Sequence, residues 1–267
     1  MKRILILIII FFPLTVFSQD ERELFKRITA QDSGYLQKRD ALQILSMADI
    51  LDSTNIEHEQ WIEESDTIAK YYKRTDNENY LFAIKYDINE LYHSHILIEC
   101  SPKGKVLKKE VYYHGTRYAF RNDYCNFYRL GDFFALEVSS NGFPSADVSL
   151  YLFKEVTPQD SLNRIPIWSW DIFEEEDDEN GHTIKITFII CSSTRKIQND
   201  TLTVTYMSEL GVFVPVENGN EDEEEFKIIE KKEPIDVIYV YKNRQWHVPD
   251  RESFRKLNNC FDMNVYF

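Results

Sequence analysis

From Tyr80 onward the apolar residues fall at every second position, in short runs closed by turn signals. That alternation is the strongest constraint in the chain. Successive side chains of a strand point to opposite faces, so a period of two marks half-buried strands. The connections read "PKGK", "SNGFPS", "DENG", "QND" and "NGNEDEE". A parallel neighbour needs a crossover of about a dozen residues or more, and none of these turns is long enough. The strands must therefore pair antiparallel. They are expected near Tyr80–Ile88, His95–Cys100, Val106–Tyr113, Tyr124–Leu130, Phe133–Ser139 and Asp147–Glu155. Further strands are expected near Ile165–Phe173, Thr183–Cys191, Thr201–Met207, Val212–Val216, Phe226–Ile229, Ile235–Tyr241 and Gln245–Val248. A short helix, Pro249 to Leu257, closes the pattern, and the acidic run Glu221 to Glu225 reads as a solvated loop. So many strands seldom stay in one open sheet, and a sandwich is the expected arrangement.

Before Tyr80 the period is different. Ala41, Ile44, Leu45, Ala48 and Leu51 recur at intervals of three and four, which predicts a helix between Leu36 and Asp52. Thr54 and Glu57 form a capping box for a second helix, whose face would carry Trp61, Ile62, Ile68, Ala69 and Tyr72. This predicts a helical hairpin, ended by "RTDNEN" and preceded by a short helix over Glu21 to Thr29.

The first residues have the form of a secretory leader. Lys2 and Arg3 precede the apolar run Ile4 to Phe12, and small Ser18 suits cleavage before Gln19. The run is shorter than the roughly 20 residues of a spanning helix. The expected divisions are residues 1–18 as leader, 19–79 as the helical segment, and 80–267 as the antiparallel domain. Periplasmic or secreted localisation follows, with no membrane span after cleavage.

Charge narrows the partners. The chain carries 45 acidic against 31 basic residues, a net charge of −14, and the leader would take Lys2 and Arg3 with it. Such a surface repels nucleic acid and anionic lipid. Four cysteines, Cys100, Cys125, Cys191 and Cys260, are an even set in an exported chain, so two disulfides are expected, with three possible connectivities.

Three constellations carry candidate chemistry. In "FEEEDDENGHTIKITF", Asn180-Gly181 suits a two-residue hairpin turn, with Glu176 across from Lys185 and Phe173 across from Phe188. The competing reading is a calcium loop using Glu176, Asp178 and Asn180, but Thr187 stands where the closing bidentate Glu belongs. His93 and His95 share a strand face. If Ser101 faces Val106 across "PKGK", His114 joins them as a possible zinc set. A tighter turn with a bulge at Gly104 sends His114 to the other face, and the sequence leaves both registers open. Trp168 and Trp170 share a face of "PIWSWDIF" and could stack on sugar rings in a chain that is 14% aromatic. Both faces of this strand are apolar near its middle, which favours core packing over a sugar platform. Finally, no GxSxG, HExxH, phosphate-binding or dinucleotide-binding motif occurs. No catalytic residue and no cofactor is therefore expected.

The stretch "YYHGTRYAFRNDYCNFYRLGDFFALEV", followed by "LYLFKEVTPQDS", resembles a set of uncharacterised exported proteins of Gram-negative bacteria. They share a leader of this kind, a "KGK" turn, an aromatic-rich middle and a "YLFKE" strand. The matching part spans about Ile96 to Ser161. The resemblance implies export and no particular activity. Where that set has a turn richer in Gly and Cys, this chain has "SSNGFPSAD", so no disulfide is carried over.

Together these features predict a mainly β chain with an N-terminal helical hairpin. The function expected of it is an exported binding or interaction module of the cell envelope, engaging a protein or a glycan. The alternatives are a glycan-binding or carbohydrate-active protein and a metal-binding envelope protein.

Overall fold

A computed structural model of the chain describes residues 23–28, 30–51, 69–86, 92–116, 125–142, 145–177, 183–216 and 224–258. The expected leader, the segment 52–68 that holds the predicted second helix, and the tip 178–182 lie outside these. The described protein is mainly β and antiparallel throughout. It forms two compact units, Met1–Tyr113 and His114–Phe267, so the first strands belong with the helical segment and not with the later sheet.

The first unit holds a five-stranded sheet in sequential order: β1 (Ser33–Tyr35), β2 (Ala69–Lys73), β3 (Tyr80–Lys85), β4 (Tyr92–Cys100) and β5 (Val106–Thr116). Helices α1 (residues 23–28) and α2 (Lys38–Met47) cover one face. Leu24, Phe25, Ala41, Ile44 and Leu45 meet Tyr71, Phe82, Ile84, Ile96, Ile98 and Cys100 there. On the other face Leu81, Ala83 and Leu97 are buried as well, which is why β3 is almost continuously apolar and β4 carries Ile96, Leu97 and Ile98 in succession. Ala69 and Tyr72 correct the sequence reading: they lie on β2 and not on a helix. Two adjacent aromatics suit the extended chain, and β3 supplies the ladder that makes it a strand.

The turn between β4 and β5 settles the open histidine register. Gly104 N–H donates to Ser101 O at 2.9 Å, Ser101 N–H donates to Lys105 O at 2.8 Å, and Gly104 has φ +84°. This is the tight turn with its glycine bulge. A side chain at Gly104 would also meet the Phe25 ring at 3.0 Å. The register with Ser101 facing Val106 would set Leu107 and Tyr113 on the apolar face and Tyr112 on the polar one, but Leu107 and Tyr113 are exposed and Tyr112 is buried. A slip of one residue reverses every face, and turn chemistry overrode hydrophobic segregation.

The second unit is a nine-stranded open sheet. Its members are β6 (Cys125–Leu130), β7 (Phe133–Gly142), β8 (Ser145–Phe153), β9 (Ile165–Asp177), β10 (Thr183–Gln198), β11 (Thr201–Pro215), β12 (Glu224–Lys231), β13 (Ile235–Lys242) and β14 (Gln245–His247). The order runs β14-β13-β11-β10-β9-β8-β7-β6, with β12 also on β11. The sheet coils until its ends overlap. Phe133 on β7 lies 4.9 Å from the Tyr241 ring on β13 and 4.8 Å from Trp246 on β14. Trp246 Nε1 donates to Leu152 O at 3.1 Å. Leu150, Leu152, Ile165, Ile190, Leu202, Val204, Val237 and Leu257 fill the space between the two layers. The result resembles a sandwich made from one sheet. Helix α3 (Arg251–Asn258), capped by Asp250, which accepts from Glu252 N–H at 2.9 Å, lends Leu257 to that core.

Bulges cause the coiling. Asp177 pairs with Thr183, one residue away from the register a two-residue Asn180-Gly181 turn would impose. A further shift at Ile186/Thr187 leaves Phe173 unpaired, so Ile172 faces Thr187 and Trp170 faces Ile189. The expected Glu176–Lys185 and Phe173–Phe188 pairings are therefore corrected to Glu176–Ile184 and Asp171–Phe188. A shift at Val148/Ser149 places Pro166 where its missing N–H is tolerated. Each bulge adds local twist. Where the sequence suggested two strands, Thr201–Met207 and Val212–Val216, one strand runs through Gly211. Glu224 and Glu225, expected in a loop, begin β12.

Candidate functional site

The sequence-predicted residues are dispersed. His95 is 2% exposed and lies opposite Lys85 on β3, deep in the first sheet. The side chains of His93 and His114 lie outside the description. Among the described residues, no three His, Cys, Asp or Glu side chains are placed to hold a metal. Glu176 pairs through its backbone with Ile184, while Asp178 and Asn180 fall outside the described residues. Trp168 is half-buried, opposite Val148 and Cys191, and the Trp170 backbone pairs with Ala146 and Ile189. Cys100 is a buried free thiol and Cys191 a half-buried one, whereas the sulfurs of Cys125 and Cys260 lie outside the description. Burial, reinforced by the neighbouring Glu99 carboxylate, pushes the Cys100 thiol up to about 12. It is a packed apolar group and not a nucleophile.

Each unit contains a buried ion cluster that the sequence did not reveal. In the first, Arg74 leaves the end of β2 and forks onto Asp76, with Nε to Oδ1 at 2.9 Å and Nη2 to Oδ2 at 2.6 Å. Its Nη1 reaches Glu99 on β4 at 3.2 Å, and Asn79 Nδ2 donates to the same oxygen at 2.8 Å. The Arg74 hydrogen bond holds the Asp76 carboxyl below the usual range. Glu99 Oε2 is buried and accepts no hydrogen bond from any of the described residues. The cluster ties the β2–β3 turn to β4.

In the second unit, Arg195 on β10 reaches across the interior to Glu137 on β7. It also donates to Tyr128 Oη on β6 at 2.8 Å, and Tyr128 donates to Glu137 at 2.6 Å. Nearby, Tyr239 and Tyr206 join their hydroxyls at 2.9 Å, and Tyr206 donates on to Pro166 O at 2.6 Å. Burial, with Tyr206 also opposed by the neighbouring Tyr239, keeps these phenols neutral: Tyr239 is pushed up to about 12 and Tyr206 well above its ordinary value. A carboxylate neutralised by a guanidinium and phenols locked in donor roles join the two layers of the coiled sheet. This arrangement places no activated nucleophile beside a base.

The surface offers something different. β12 and β13 run in the same direction along one edge of β11. Met207 and Ser208 of β11 lie across from Lys232, Glu233 and Pro234, so the two strands are one extended segment interrupted by a bulge. A second bulge at Leu210/Gly211 displaces Ile229. Just before it, the Phe226 ring lies over Gly211, where an added Cβ would come within 2.3 Å of it. Phe213 packs on Phe226 with ring centroids 5.1 Å apart. That bulge brings two successive isoleucines outward, Ile228 at 43% and Ile229 at 59% exposure, with Ile238 at 43% on β13. Among the described residues, no strand pairs with the other edge of β12.

No family model, no curated protein and no solved structure matches this chain.

Proposed function

We propose that the chain is an exported binding module of the cell envelope, and that it engages a protein partner through β12. The observation that carries this reading is the coincidence, on one strand, of exposed Ile228 and Ile229 with an edge that has no described neighbour. A free edge offers a row of backbone donors and acceptors, and an added strand can use them for affinity. Exposed isoleucines beside that edge supply the apolar contact that single surface residues elsewhere do not. Export rests on the leader-like run Ile4 to Phe12 behind Lys2 and Arg3.

A photo-cross-linking residue at Ile229 tests this in cells that export the protein. The control is the same residue at Lys196, which is exposed on β10 of the same unit. Adducts are expected from position 229 in the exported fraction and not from position 196. Equal labelling at the two sites, or none from 229, would remove β12 as the binding surface.

A further inference from the structure

Edge strands are normally guarded by charge, bulges or proline, and β12 has all three near it. The arrangement of its charges is the informative part. Residues 224–233 read EEFKIIEKKE. About the midpoint between Ile228 and Ile229, residues 225–232 of this segment are complementary to their own reverse, while Glu224 falls across from Glu233 at its ends. An antiparallel second copy would set Ile228 across from Ile229, Lys227 across from Glu230, Phe226 across from Lys231 and Glu225 across from Lys232. Each pairing occurs twice around the two-fold axis, as an isologous contact requires.

Neighbouring registers do not work as well. One step in one direction sets Lys227 against Lys231 and Glu225 against Glu233. One step in the other keeps opposite signs at Glu225–Lys231 and Glu224–Lys232 but, nearest the axis, places Phe226 against Glu230 and Lys227 against Ile229. Opposite charges directly across an antiparallel pair stabilise it, and like charges destabilise it.

The ion pairs within the chain fit the same register. Lys227 Nζ lies 2.6 Å from Glu225 Oε1, and Lys232 Nζ lies 2.6 Å from Glu230 Oε1. Contact within each pair places its two members on one side of the strand. In the two-fold pairing, Glu225 and Lys227 of one copy face Lys232 and Glu230 of the other, in alternating sign. The charges that would repel an arbitrary strand thus select a second copy.

We propose that β12 mediates a symmetric homodimer of this chain, pairing antiparallel about an axis between Ile228 and Ile229. This inference rests on β12 being the binding surface and names the partner as a second copy. The test is sedimentation equilibrium of the full exported chain over a concentration series. A dimer is expected. Lys227→Glu puts Glu across from Glu230 twice and is expected to weaken association at least tenfold. Lys227→Glu combined with Glu230→Lys restores opposite signs and is expected to recover it. Lys227 is exposed, so circular dichroism should show each variant folded. A wild-type chain that stays monomeric at every concentration overturns the proposal, as does a dimer indifferent to Lys227→Glu or not recovered by the exchange. The cross-linking experiment separates the two claims. Adducts from position 229 to a different protein, with a monomeric chain, sink the homodimer and keep the binding surface. No adducts from 229 sink the binding surface itself.

Discussion

Replacing Arg195 by Met is expected to destabilise the second unit by about 3 kcal/mol. The size follows from what the substitution leaves behind. Glu137 is only 2% exposed and accepts hydrogen bonds from Arg195 and Tyr128. Stripping one partner from a buried charge pair costs roughly 3–5 kcal/mol, because the remaining charge is stranded away from water. The Arg195 side chain retains 29% exposure, so water partly screens the pair and the lower end of that range applies. Removing both charges is a different perturbation. Arg195→Met with Glu137→Leu eliminates the stranded charge and keeps apolar volume, and it should lie within about 1–2 kcal/mol of wild type. The assay is urea unfolding followed by tryptophan fluorescence. Trp168, Trp170 and Trp246 all belong to the second unit, so the signal reports mainly on it. With two units, a single whole-chain free energy is not defined, which is why a local probe is needed. In a thermal scan the single variant should melt roughly 6–12 °C lower, at about 2–4 °C per kcal/mol. A single-variant loss below about 1 kcal/mol, or two single losses that simply add in the double variant, would refute the claim that Arg195 compensates a buried Glu137.

Three further outcomes are expected. Gly211→Ala should cost about 1–3 kcal/mol by overpacking, and Phe226→Ala should rescue only part of it, because Lys227 O also lies 2.8 Å from the added Cβ; full rescue in urea melts would show that the ring alone sets the limit. The Tyr206–Tyr239 pair should make stability fall at alkaline pH. The phenols ionise near 10 in the unfolded chain, while Tyr239 holds its proton up to about 12, so the stability present below pH 10 drains away between pH 10 and 12. Tyr239→Phe should flatten that limb, and an unchanged slope would contradict it. Cys100 should resist iodoacetamide at pH 8 in the native protein and react only in denaturant, as read by mass spectrometry; rapid native alkylation would show that its burial is wrong.

The residues proposed as the binding surface were partly legible. Ile228 and Ile229 stand in a strand on sequence grounds, but strict alternation would hide one of them. Only the bulge opposite Leu210 and Gly211 brings the two outward. The interval between Met207 and Val212, which ends in Gly211, separated two strands in the sequence reading. The Phe226 ring, fifteen residues on in sequence, fills the space that a missing side chain leaves, and a tertiary contact thereby makes the strand continuous.

What the sequence determined alone was local. Alternation from Tyr80 and the short turns dictated strands and antiparallel pairing, because both depend on neighbours a few residues apart. The strand status of Ala69–Lys73 was not local, since β3 provides its ladder. Register was not local either: beyond the hairpin near Asn180, a bulge at Phe173 shifts the pairing by a further residue, which no turn rule contains. The ion clusters were least accessible. Arg195 and Glu137 are 58 positions apart, in a chain with 45 acidic residues, and nothing in the sequence singles out that pair. Coiling of the sheet brings β7 over β10, and the burial that follows turns an ordinary carboxylate into one that must be neutralised. Tertiary structure decided that pairing because the cost of a charge depends on the surroundings into which the fold carries it.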